Sequence, residues 1–117
     1  MLDGLGGVHP FGGAPAVAVS AYWPGWNIAR GLVLSSDTSG YVLDGFGGVH
    51  PFGGAPAVAV TAYWPGWDIA RGIVLRSGGA GGYVLDGLGG VHPFGGAPAV
   101  TITAYWSGWD IARGISP

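Results

Sequence analysis

The chain has 117 residues, room for one domain, and Gly supplies 26 of them and Pro 9, about 30% of the chain between them. That fraction excludes a helix-rich fold. The hydrophobic share of 49%, with six Trp, five Tyr and four Phe, excludes a disordered chain, and Gly does not recur at every third place as collagen requires. Formal charge is confined to four Arg and six Asp, a net charge of −2, so there is no electrostatic footprint for nucleic acid or for an anionic membrane. With no Cys there is neither a disulfide framework nor a thiolate metal site. No 18-residue apolar run is present, and the short, Pro-interrupted segments do not suit a membrane β-barrel. Met1-Leu2-Asp3-Gly4 lacks the basic and apolar regions of a signal peptide, so the sequence leaves localisation open. The expectation is one compact all-β domain spanning residues 1–117.

Self-similarity organises that domain. Residues 2–42, 43–84 and 85–117 are copies of one unit, the third lacking its tail. Across their first 32 positions the first two copies differ only at Leu5/Phe46, Ser20/Thr61, Asn27/Asp68 and Leu32/Ile73; the third departs from the second mainly at Thr101, Ile102 and Ser107. Copies this alike point to recent amplification or to deliberate construction. Variation gathers in the tails at residues 34–40 and 75–82, which reads as solvent-facing loop.

Four strands per unit are predicted, taken here from the second copy into the third. Residues 68–75 form the first, ended by a Gly-rich loop. Residues 83–86 form the second, followed by the hairpin turn Gly87-Leu88-Gly89-Gly90. The third is Val91-His92-Pro93-Phe94, whose Pro cannot donate to a ladder, so one edge there is unpaired or bulged. The fourth is residues 99–106, β-branched and aromatic. No helical periodicity occurs anywhere.

Four strands in roughly 42 residues is the size of a β-propeller blade. The run Ile69-Ala70-Arg71-Gly72-Ile73-Val74-Leu75, then Tyr83-Val84-Leu85-Asp86-Gly87, then Val91-His92-Pro93-Phe94 resembles the first three strands of an NHL-type blade. The whole unit is also similar to tandem repeats of exported bacterial proteins carrying Tyr-Val-Leu-Asp-Gly and Tyr-Trp-Pro-Gly-Trp-Asp-Ile-Ala-Arg-Gly signatures. These resemblances imply a propeller. Because propellers close with about 4–8 blades, three blades per chain imply a ring completed by oligomerisation. A homodimer closing six blades is the expected partner arrangement, since it removes open sheet edges. The alternative is a three-repeat β-trefoil. His9-Pro10-Phe11-Gly12-Gly13 and its copies at His50 and His92 resemble the His-Pro-x-Gly-Gly motif of mussel galactose-binding trefoil lectins, although apolar Ala-Val runs follow here in place of their polar segment.

Chemistry is sparse. Arg71 alternates with Ile69, Ile73 and Leu75 on one strand face, where a guanidinium needs a partner. Arg30, Arg71 and Arg113 are therefore expected in structural ion pairs with aspartates, Asp3, Asp44 and Asp86 among them. His9, His50 and His92, each followed by Pro, are expected to hydrogen-bond backbone carbonyls, and no metal set is expected. Trp26, Trp67 and Trp109, beside Trp23, Trp64 and Trp106, either fill space between blades or stack on sugar. With His they make up the candidate ligand-binding residues. No catalytic residue is assigned: there is no Glu, no Lys and no Ser beside an evident base. Gly4-Leu5-Gly6-Gly7-Val8-His9 lacks the final Gly of a dinucleotide fingerprint, so no cofactor is expected. Two functions follow: a non-catalytic, self-assembling scaffold, or a carbohydrate-binding lectin with one shallow site per repeat.

Overall fold

The computed structural model describes residues 1–77 and 81–117. Six strands run in chain order: β1 (Ala29–Leu34), β2 (Gly40–Asp44), β3 (Val49–Phe52), β4 (Ala70–Leu75), β5 (Gly82–Asp86) and β6 (Val91–Phe94). They form two three-stranded antiparallel sheets, β1-β2-β3 and β4-β5-β6. No helix occurs among the described residues, and none is long and apolar enough to cross a membrane.

Each β-hairpin closes on the Gly-rich turn expected for it. Gly47 and Gly89 lie at φ of 97° and 100°, a region closed to most side chains. The third strands fall where the sequence places them. Pro51 stands opposite Tyr41 and Pro93 opposite Tyr83, so the missing N–H of each proline faces the outer edge.

Both faces of each sheet are apolar because both are covered. On β2, Tyr41 and Leu43 pack with Ala70, Ile73, Val84 and Phe94 of the second sheet. Val42, one residue out of phase, packs with Ala29 and Phe52 against Leu2, Val8, Val17 and Trp23 of the first copy. A period of two thus divides β2 between two cores, one before it and one after. The units therefore stack face to face. Their inner strands approach closely: a Cβ built on Gly31 would lie 3.0 Å from Ile73 Cγ2.

The fourth strand is different from the expected one. Residues 99–106 form no strand; their counterparts near 18–20 and 58–61 meet the following copy, while Trp23, Trp64 and Trp106 each donate an N–H to the turn of their own copy, at Leu5, Phe46 and Leu88. Val60 makes an isolated antiparallel bridge to Phe94. Gly95 N–H donates to Ala59 O at 2.9 Å, and Gly53 N–H to Ala18 O at 3.2 Å. Hydroxyls repeat the same crossing, Ser20 to Pro51 O and Thr61 to Pro93 O. The prolyl edge that cannot donate accepts instead. Each β-hairpin, β2–β3 or β5–β6, is thus held between two segments of chain that precede it, an outer one (near 18–20 or 58–61) and an inner strand (β1 or β4). Among the described residues no β-hairpin of a following copy lies beside residues 99–103.

Candidate functional site

Two sets of side chains recur at every copy, and both lie where units meet. The first is built on the hairpin turn. Asp44 ends β2, and its Oδ1 accepts the N–H groups of Phe46 at 2.8 Å and Gly48 at 3.0 Å, closing the turn. Its Oδ2 meets His50 Nε2 at 2.7 Å. Asp86 with His92 repeats this at 2.7 Å, and Asp3 with His9 at 2.6 Å. Burial opposes the charge on Asp44, but His50 and the two N–H donors outweigh it and hold the carboxyl below its ordinary value. At Asp3 the His9 hydrogen bond has the leading part in the same downward shift.

His50 and His92 also receive an indole from the copy before. Trp23 stands edge-on to His50 with ring centroids 5.1 Å apart, and Trp64 to His92 at 5.0 Å. Sequence reasoning expected a backbone carbonyl as the histidine partner and missed the carboxylate. The signal was present as Asp-x5-His, the spacing that puts both residues on one side of a four-residue hairpin turn.

Arginines make the second set. The register slips between Ala29 and Gly31 and again between Ala70 and Gly72, leaving Arg30 and Arg71 as the extra residue of a β-bulge. A bulge turns its residue out of the strand alternation, so Arg71 leaves the apolar face on which simple alternation places it. Arg30 reaches Asp68 of the next copy through both Nε, at 3.1 Å, and Nη2, and Arg71 reaches Asp110 the same way, with Nε at 3.2 Å. Each also turns back three residues: Arg71 to Asp68 at 3.3 Å, Arg113 to Asp110 at 3.4 Å, and Arg30 to Asn27 Oδ1 at 3.3 Å. The arginines therefore pair with Asp68 and Asp110, while Asp3, Asp44 and Asp86 serve the histidines. Burial disfavours the charge on Arg71, yet Asp110 and Asp68 more than restore it, and Arg71 holds Asp110 below its ordinary value.

Trp26, Trp67 and Trp109 stand apart from the histidines and are 49%, 50% and 61% exposed. Trp26 lies edge-on to Phe46 of the next copy at 5.5 Å. Among the described residues no group of three or more metal-ligating side chains comes together.

Equivalent positions differ sharply along the chain. Phe52 and Phe94 are 3% and 1% exposed, whereas Phe11 is 71% exposed. The side chains of Arg30 and Arg71 are 25% and 21% exposed, that of Arg113 65%. Trp23 and Trp64 are half-buried against histidine, while Trp106 is exposed. Between residues 101–104 and 111–114 lies a cleft of about 450 Å³, walled by Leu85, Ile102, Trp106 and Ala112. Beside it a second, of about 500 Å³, is walled by Val74, Tyr83, Val100 and Ile115. These are the surfaces that hold a β-hairpin in the earlier copies. No protein-family model, curated protein or solved structure matches the chain.

Proposed function

We propose that the protein is a non-catalytic, self-assembling repeat scaffold whose copies join head to tail and close a propeller-like ring. The contrast between Phe11 and its buried equivalents Phe52 and Phe94 carries this reading. Inside the chain, β5–β6 fills the space between residues 58–61 and β4. By the same register the turn of residues 1–11, closed by the antiparallel bridge between Leu2 and Val8, fits from a second copy between residues 99–103 and 112–115. Ile102 then bridges Phe11 as Val60 bridges Phe94. Thr103 reaches the Pro10 carbonyl, and Trp106 covers His9. Two such joints make a homodimer of six units and leave no open sheet edge. The close approach of inner strands at Gly31 and Ile73 supports wedge-shaped units of a propeller.

Mass measurement by light scattering tests the assembly: about twice 11.7 kDa is expected, and a single-chain mass at micromolar concentration overturns it. Polarity is tested by complementation. Phe11→Ala is expected to spoil the inserted hairpin and Ile102→Asp the cleft, and at residues 71% and 38% exposed each variant is expected to fold alone. Each alone is expected to be a single chain, and their mixture a pair with one intact joint.

One observation favours a second activity, carbohydrate binding. Tyr22, Tyr63 and Tyr105 are 50–53% exposed alongside the half-exposed Trp26, Trp67 and Trp109, a repeated aromatic surface suited to the apolar face of a pyranose. Titration with simple sugars is expected to shift Trp emission in the wild type and not in Trp26→Ala/Trp67→Ala/Trp109→Ala. An unchanged wild-type spectrum with every sugar ends this second reading.

A further inference from the structure

The arginines and aspartates form a ladder that crosses the units without interruption: Arg30 to Asp68, Asp68 to Arg71, Arg71 to Asp110, Asp110 to Arg113. Its first position is Asn27, which stands where Asp68 and Asp110 stand in the later copies. Asn27 keeps part of their role, accepting from Arg30 Nη1 at 3.3 Å. It brings no charge. At the other end Arg113 keeps its contact to Asp110, three residues back, but its side chain is 65% exposed where Arg71 is 21%.

We infer that Asn27 sets the strength of the joint between copies, by making it the one joint where the arginine meets an amide instead of a carboxylate. The inference rests on the head-to-tail reading. Arg30 and Arg71 each grip the aspartate one unit ahead, so the group one unit ahead of Arg113 is Asn27 of the second copy. The fork-shaped guanidinium meets two equivalent oxygens at Asp68 and Asp110; an amide offers one oxygen and an NH2 that repels it. The joint between copies therefore has the weakest clasp in the assembly and opens before the joints inside a chain. The cleft continues the interface that already joins the units, so the other contacts across it keep the register given by the earlier copies.

The test uses the one-joint pair, in which the Phe11→Ala chain supplies the cleft and Arg113, and the Ile102→Asp chain supplies the hairpin and Asn27. Asn27→Asp in the hairpin-supplying chain is expected to tighten the pair about two- to fivefold, the range of a partly exposed ion pair. The tightening is expected to fade as salt is raised. It is also expected to vanish when the cleft-supplying chain carries Arg113→Ala. The same Asn27→Asp placed in the cleft-supplying chain lies away from the working joint and is expected to change nothing. Equal effects from the two placements, or none from either, overturn the role of Asn27 while leaving head-to-tail assembly intact. Failure of the pair to form at all overturns the assembly reading and this inference together.

Discussion

At the scale of single residues, the hairpin-turn aspartates have the most demanding role. Asp44 satisfies two backbone donors with one oxygen and holds His50 with the other, and its side chain is only 9% exposed. Asp44→Asn keeps an acceptor for the turn and loses the charge, which is expected to cost about 1–2 kcal/mol at pH 7. The sign with pH follows from the depressed carboxyl. A group whose folded pKa lies below its unfolded value of about 3.9 stabilises fully above that value and loses its contribution as pH falls through the folded one. Urea unfolding is therefore expected to separate the two proteins at pH 7, with the gap narrowing progressively as pH falls below about 3.9. A gap that persists undiminished at about pH 3 contradicts this assignment. The spacing Asp-x5-His was legible in the sequence; its partner was not, because the pairing depends on which side of the turn both side chains emerge.

Among elements, the β-hairpin and the two segments that enclose it form the working unit, and it is offset from the sequence repeat. The strands of residues 82–86 and 91–94 were readable from Gly-bounded β-branched runs. The outer segment was not. Residues 17–23, 58–64 and 100–106 all carry strand-like composition, but composition does not say which β-hairpin each lies beside. The bulge at Arg30 and Arg71 was hidden for the same reason: alternation read along one strand assumes an unbroken register, and the register is set by the neighbouring strand. Offset enclosure makes a direct prediction about phenylalanines that look alike. Phe52→Ala removes a ring 3% exposed and is expected to cost about 3–5 kcal/mol in denaturant unfolding. Phe11→Ala, at 71% exposure, is expected to change the stability of a single chain by about 0.5 kcal/mol or less and to act on association instead. Equal losses of single-chain stability would sink the equivalence drawn between them.

For the whole molecule, the same contacts appear twice inside the chain and half-made at its two outer faces. The first copy exposes Phe11 and His9; the last exposes Ile102, Trp106 and Arg113. The proposed head-to-tail joining would match the one set to the other, and stability would then depend on protein concentration. The midpoint of thermal unfolding is expected to rise with concentration for the wild type and to stay constant for either complementation variant alone. Strand composition, Gly-rich turns and the threefold repeat were determined by the sequence itself, because each is a local preference of the backbone or a matter of counting. Which segment encloses which β-hairpin, which aspartate an arginine reaches and which of three equivalent phenylalanines stays wet were decided only in three dimensions. Those outcomes depend on the neighbour that each copy happens to have, and identical copies in different surroundings carry no mark of it.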